Sequence, residues 1–281
     1  MIELPQDLGD QVAAALREDV GSGDVTARLV PEAQVAHGRV ITREDAVLCG
    51  QAWVDETFRR LDAAIRLDWK ARDGDRVRAN QLLFEIQGRA RAVLTGERTA
   101  LNFLQLLSGT ATQTRLFVDA VAGTGCTILD TRKTLPGLRT AQKYAVRCGG
   151  AQNLRIGLFD MVLIKENHIA AAGSIGGAIA AAKRVSPGLK IEVEVESLAG
   201  LEEALAAAPD IVMLDNFDNA TMAKAVTISR ARAPTIKLEA SGSVTLETVR
   251  AIAAIGVDYV SVGSLTKHVR ATDLSMRFDF S

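Results

Sequence analysis

The sequence predicts an α/β protein whose larger part is a parallel sheet closed, or nearly closed, into a barrel. Three observations carry the prediction. Short β-rich runs recur at residues 126–130, 161–165, 191–196, 211–215, 236–241 and 259–263. Amphipathic helical runs lie between them, and the strand–helix repeat of about two dozen residues is the spacing of right-handed βαβ units. Each run also ends in polar or charged residues, as barrel strands do where they reach a shared mouth.

Taken in order, residues 6–18 carry the apolar spacing of an amphipathic helix, ended by Gly21-Ser22-Gly23-Asp24. From about 36 to 94 the pattern is strand-like. Val77, Leu82, Leu83, Phe84 and Ile86 around the turn residues Asp73-Gly74-Asp75 predict a β-hairpin over 73–88. A helix follows over 97–108, with Leu101, Leu104 and Leu107 on one side. In the repeating part, Leu198, Leu201, Leu205 and Ala208 form one helical face. Leu246, Val249, Ile252 and Ala253 form another, with Thr245 placed to cap it and Gly256 to end it. Alternation at Leu274, Met276, Phe278 and Phe280 predicts a last strand returning to the N-terminal part. The expected division is 1–108, 109–268 and a C-terminal strand at 269–281.

Composition excludes several functions. With 281 residues, 48% hydrophobic and 24% charged, the chain can bury a sizeable core. Its 33 basic and 34 acidic side chains nearly cancel, so no global field draws it to nucleic acid or a membrane surface. Aromatics, at 4%, are too few for a base-stacking platform. The cysteines (Cys49, Cys126, Cys148) and histidines (His37, His168, His268) are too scattered for a disulfide framework or a zinc site. The start lacks the basic opening and apolar run of a signal peptide, and the small-residue stretch at 169–182 is too short to span a bilayer. A soluble, cytoplasmic protein is expected.

The strand ends suggest the chemistry. Arg132, Lys133, Arg139, Lys143, Arg147, Arg155 and Lys165 concentrate cations in or beside the first two strand–helix loops. Arginine forks and lysine point charges suit a small polyanionic substrate. For Lys143 and Arg147, four apart on a predicted helix, a solvated helix face competes with that reading. Glu194 and Asp215 end the next two strands and are candidates for binding Mg²⁺, accepting from sugar hydroxyls, or acting as bases. Ser241-Gly242-Ser243 and Gly263-Ser264 expose backbone N–H groups in the late loops, where α/β barrels commonly hold phosphate. The run Gly123-Thr124-Gly125 precedes a strand and lacks the dinucleotide spacing.

Several long runs resemble the quinolinate phosphoribosyltransferase family. They are Glu97-Arg98-Thr99-Ala100-Leu101-Asn102-Phe103-Leu104, Asp130-Thr131-Arg132-Lys133-Thr134 with Pro136-Gly137-Leu138-Arg139, and Lys143-Tyr144-Ala145-Val146-Arg147-Cys148-Gly149-Gly150. Further ones are Leu163-Ile164-Lys165-Glu166-Asn167-His168-Ile169, Glu192-Val193-Glu194-Val195-Glu196, Leu214-Asp215-Asn216 and Glu239-Ala240-Ser241-Gly242. The resemblance spans nearly the whole chain. It implies an N-terminal α/β sandwich domain, an incomplete α/β barrel of about six strands, and a homodimer with a shared active site that in some members builds a hexamer. The implied reaction joins quinolinate to phosphoribosyl diphosphate with Mg²⁺, giving nicotinate mononucleotide, pyrophosphate and CO₂ on the route to NAD. By resemblance, Arg132, Arg155 and Lys165 bind the substrate carboxylates, and Arg98 reaches across from the neighbouring subunit. Lys133 binds phosphate and pyrophosphate. Glu194 and Asp215 serve the ribose hydroxyls and the metal, directly or through water, and Ser241, Gly242, Ser243, Gly263 and Ser264 hold the 5′-phosphate.

One departure stands out. The family often places histidine where this chain has Leu154, between Asn153 and Arg155, and leucine cannot donate to a carboxylate. The competing readings are a paralogous phosphoribosyltransferase of the same fold acting on another aromatic acid, and a binding protein that kept the scaffold without turnover. The intact run from Lys165 to Ile169 and the Arg132–Lys133 pair favour the first enzyme.

Overall fold

Two separately packed units account for residues 2–280, the part that this computed structural model describes. The first is built from the segments up to Arg115, from Thr134–Gly150, and from Ser264 onward. It contains α1 (Leu8–Val20), β1 (Val35–Thr42), β2 (Ala46–Val47), α2 (Gln51–Leu61), β3 (Arg66–Trp69), β4 (Arg76–Val77) and β5 (Leu82–Arg89). The part of α3 (Ala90–Ala120) up to Arg115 and all of α4 (Arg139–Cys148) complete its core.

Strands β1, β5 and β3 lie side by side, antiparallel. The hairpin predicted over 73–88 is not formed, because β4 pairs with β2 and β5 pairs with β1 and β3. The intervening turn is anchored elsewhere. Asn80 takes a left-handed φ of 67° and donates its N–H to Thr42 O, and the Ala79 N–H donates to Asp45 Oδ1.

Helix α3 is far longer than the predicted 97–108, at 31 residues. Glycine and threonine dilute its apolar pattern, yet Thr95, Thr110, Thr112 and Thr114 each donate to the carbonyl four residues earlier and so satisfy their hydroxyls inside the helix. Leu101 and Leu104 pack with Phe58, Leu83 and Phe84. Phe103 and Leu107 pack with Val12, Trp53 and Tyr144. The Trp53 and Tyr144 rings lie 5.4 Å apart, and the indole N–H donates to the buried Gln11 at 2.8 Å, which leaves no orphan donor there. Lys143, weighed above as a solvated helix residue, is instead buried, whereas Arg147 is exposed.

Gly109 of α3 is needed for a close approach: a methyl group there would collide with the backbone carbonyl of Arg270. Backbone cannot swing aside as a side chain can. Gly109→Ala is therefore expected to destabilise the protein by about 1–3 kcal/mol, the cost of overpacking. Chemical denaturation measures this, and an unchanged midpoint would contradict the packing described.

The second unit comprises Leu116–Lys133 and Ala151–Gly263. Its strands are β6 (Thr127–Leu129), β7 (Val162–Ile164), β8 (Ile191–Val195), β9 (Ile211–Asp215), β10 (Lys237–Ser241) and β11 (Tyr259–Ser261). Between them run α5 (Glu166–Ala172), α6 (Ile175–Val185), α7 (Leu198–Ala207), α8 (Asn219–Arg232) and α9 (Leu246–Ala254). All neighbours pair in parallel in the order β6-β11-β10-β9-β8-β7. That order is the chain order of a barrel opened at one seam. Among the described residues β6 and β7 do not pair, and Gln152 makes a single parallel bridge to Leu129 on the open side. Ser174, Ser197 and Asp218 cap α6, α7 and α8 through side-chain oxygens that accept backbone N–H groups. Thr245 is the N-cap of α9, as its sequence position predicts.

The pleat sorts the strand residues by face. Val193 and Val195 of β8, Val212 and Leu214 of β9, Leu238 and Ala240 of β10 and Val260 of β11 alternate with Glu192, Glu194, Met213, Asp215, Glu239, Ser241 and Ser261. One face is thus apolar, and the other carries the polar residues. The chain finishes in the first unit with α10 (Ser264–Lys267) and β12 (Leu274–Phe280). Strand β12 pairs antiparallel with β1, Gly38 facing Phe278.

Candidate active site

In parallel α/β sheets the carboxyl ends of the strands form the reactive edge. In the second unit that edge collects Arg132 and Lys133 after β6, Lys165 after β7, and Glu194 on β8. It also collects Asp215 closing β9, Ser241-Gly242-Ser243 closing β10, and Gly263 after β11. Of the seven cations counted in the sequence, Arg132, Lys133, Arg155 and Lys165 belong to this unit. Arg139, Lys143 and Arg147 ride on α4 in the first. Arg98, exposed on α3, and Ser264, opening α10, are also residues of the first unit.

Arg132 and Arg155 influence one another electrostatically. Burial, then the Arg132 charge, lowers the Arg155 pKa from its ordinary value. Arg155 Nε donates to Gly157 O at 2.8 Å, and Asp160 holds the same loop by accepting the Ile156 and Gly157 N–H groups at 2.8 and 2.9 Å. The Nε of Arg132 is buried without a hydrogen-bond partner among the described residues. Two partly desolvated guanidinium groups with donor capacity to spare make a receptor for a dianion.

Lys133 emerges from β6, and its backbone N–H donates to Thr131 Oγ1 at 3.1 Å. A Cβ on Gly263 would stand 3.2 Å from Lys133 Cδ and 3.8 Å from its Nζ, so the lysine side chain lies over the end of the neighbouring β11. Gly242 has φ +145° and sits against Asn216, itself at φ 55°. Asn216 donates its N–H to Ser241 O and its side-chain amide to Asp215 Oδ2, at 3.0 and 2.7 Å. Left-handed backbone at a non-glycine residue costs free energy and clusters at functional sites. Here it ties the ends of β9 and β10 together.

Carboxylates gather beside these cations. Lys165 Nζ donates to Glu194 Oε2 at 2.7 Å, a contact that raises the Lys165 pKa, and Glu194 is only 10% exposed. The His168 ring takes part in holding Lys165, since its Nδ1 accepts the Lys165 N–H at 3.0 Å. Glu194, Glu196 and Asp215 bring one oxygen each within 4.8 Å of one another. Hard oxygen donors in this number suit Mg²⁺ better than softer metals. Glu196 joins the two acids singled out from the sequence, and its place two residues after Glu194, just past the end of β8, is the signal that finds it.

Below this rim lies a feature that strand-end reasoning does not reach. Glu192 and Glu239, 2% and 1% exposed, act on one another electrostatically, and the Ser261 hydroxyl donates to Glu239 Oε1. Burial, then the Glu239 charge, pushes the Glu192 carboxyl up to about 9, so at neutral pH it stays protonated. Glu239 is raised as well, chiefly by burial.

Comparison with known proteins agrees with this architecture. Residues 24–108 match the quinolinate phosphoribosyl transferase N-terminal domain, and residues 110–277 match the C-terminal domain. The chain is 44% identical to the nicotinate-nucleotide pyrophosphorylase [carboxylating] of Mycobacterium leprae, over 95% of both chains. It is 41% identical to the probable enzyme of that name from Bacillus subtilis, over 92% of this chain and 89% of the relative. The solved structure of the nicotinate-nucleotide pyrophosphorylase from Francisella tularensis superposes with a TM-score of 0.95 at 46% identity, covering 99% and 98% of the two chains. With both of its domains matched and relatives of this identity along nearly its full length, the chain belongs to the quinolinate phosphoribosyl transferase family.

Proposed function

We infer that this chain transfers the phosphoribosyl group of phosphoribosyl diphosphate to quinolinate with loss of CO₂, giving nicotinate mononucleotide and pyrophosphate for NAD synthesis. The observation that carries the reading is a single rim where a guanidinium pair, two lysines and a carboxylate cluster meet at the ends of parallel strands, in a chain of this family. The alternative acid substrate of a paralogue finds no feature here that favours it.

The residues divide the work. Arg132 and Arg155 take the two ring carboxylates, and Lys165 adds a third cation to the acid. Held this way, the pyridine nitrogen faces the anomeric carbon, and orientation supplies much of the acceleration. Lys133 offsets charge on the departing pyrophosphate, while Glu194 and Asp215 stabilise the positive, oxocarbenium-like ribose by fixed opposite charge. Ser241, Gly242, Ser243 and Gly263 present donors to the 5′-phosphate. Once the ring nitrogen is cationic, the electron pair left by the departing 2-carboxylate sits beside a positive charge, which eases decarboxylation. Glu194, Glu196 and Asp215 would hold Mg²⁺, and the metal, when bound, supplies charge neutralisation at the diphosphate. The reading carries with it a cytoplasmic location.

Arg98 completes the acid site from a second copy of the chain in this reading, which makes the enzyme a homodimer, with a hexamer as its larger form. Mixing tests it. Arg98→Ala and Lys133→Ala are each expected to be nearly inactive. Unfolded and refolded together they should recover about a quarter of wild-type activity, because half the dimers are mixed and each mixed dimer keeps one intact site. No recovery from a sample shown to contain mixed dimers would contradict the shared site. The substrate itself is tested by offering quinolinate, nicotinate and other aromatic acids side by side. Turnover confined to quinolinate also shows that Leu154 is compatible with it, and turnover confined to another acid overturns the reading.

A further inference from the structure

Lys165 and Glu194 are both assigned to ligands, yet in the ligand-free chain they are assigned to each other. The ammonium stands 2.7 Å from Glu194 Oε2, and the pair is unequal: Lys165 is 47% exposed and Glu194 10%. Glu194 is therefore the fixed half, enclosed in β8, while Lys165, at the start of α5, has solvent into which to swing. The same glutamate shares the carboxylate cluster with Glu196 and Asp215, and Asp215 and Glu166 also act electrostatically on Lys165. A monovalent ammonium thus sits on the carboxylate that a divalent cation would also draw on.

Resting on the proposed function, we propose that Lys165 is a charge gate that couples the acid site to the cation site. Its ammonium neutralises Glu194 until the acid's carboxylate draws it away, and the freed Glu194 then holds the divalent cation. The reverse holds too. A cation on the carboxylate cluster repels the ammonium toward the acid site, where it pairs with the incoming carboxylate. Coupling of this kind is reciprocal: each ligand tightens the other by the same factor, of order tenfold. It also tunes the site, since the ligand that binds first must itself part the pair and the second then finds its charge already free.

The test reads metal binding rather than turnover. Mn²⁺ is titrated into the full-length protein and its free concentration followed by electron paramagnetic resonance. Benzene-1,2-dicarboxylate serves as the acid, because it keeps two adjacent carboxylates without the ring nitrogen that would chelate the ion. Wild-type protein is expected to bind Mn²⁺ about tenfold more tightly with the acid present. Lys165→Gln should bind Mn²⁺ about tenfold more tightly than wild type without any acid, and the acid should add little. Lys165→Arg, which keeps the charge, should bind Mn²⁺ as weakly as wild type, and circular dichroism confirms that each variant is folded. Lys165→Gln binding Mn²⁺ no better than wild type overturns the gate, as does an acid that binds wild type without moving Mn²⁺. Quinolinate failing to bind wild-type protein in a separate calorimetric titration would instead overturn the proposed function itself.

Discussion

Lys133→Ala and Glu194→Ala are each expected to lower turnover with quinolinate by about a hundredfold or more, the usual loss when one preorganised charge is removed from a transition state. Both positions lie at the strand-end rim rather than in the apolar core, so the fold should survive. Lys133 is exposed and lies over Gly263, and in the proposed mechanism its ammonium meets the phosphate groups there. Deleting it leaves charge on the departing pyrophosphate uncompensated. Glu194 holds Lys165 and belongs to the carboxylate cluster, so its loss removes negative charge opposite the developing cation and releases the lysine at once. Steady-state kinetics separates these roles. A fall in kcat/KM carried mainly by kcat marks charge stabilised in the transition state. A variant turning over near the wild-type rate would remove that residue from the mechanism.

The second large effect concerns stability and pH. In the unfolded chain Glu192 ionises near 4.5, and in the fold only near about 9. Between those values the native state holds a proton that the unfolded state has released. Stability therefore falls as pH rises across that window, by about 1.4 kcal/mol per unit at full effect. Below about 4.5 the burial carries no such penalty, and above about 9 the penalty stops growing. Glu192→Gln keeps the volume and an N–H donor toward Glu239 but has no proton to lose. It should flatten this slope and stabilise the protein at pH 7 to 8. Urea denaturation at pH 5, 6, 7 and 8 compares the two proteins. Parallel pH dependences would mean that Glu192 is ionised in the fold.

Much of the second unit was legible because buried parallel strands leave a strong mark. The run over 211–215 is continuous, apolar and ended by Asp215, and β9 has those bounds. The other five predicted runs each contain a strand, shorter by one or two residues at the ends, where pairing to the neighbouring strand stops. The Glu192–Glu239 contact was not legible. Alternation shows that each faces the polar side, but β9 lies between β8 and β10, and no pattern within one strand tells which residues meet across an intervening one. Lys143 escaped for a different reason: its spacing to Arg147 describes a helix face, while burial depends on what packs over that face. In the first unit, the turn chemistry at Asp73-Gly74-Asp75 suggested neighbouring strands, but the Asn80 turn hands β5 to β1 and β3 instead.

In the proposed reaction this rim couples phosphoribosyl transfer to decarboxylation. Quinolinate labelled in its 2-carboxylate, mixed with phosphoribosyl diphosphate, Mg²⁺ and the purified protein, tests it directly. Labelled CO₂ and nicotinate mononucleotide are expected in equal amounts, with none when nicotinate replaces quinolinate. Binding of both substrates without either product would contradict it.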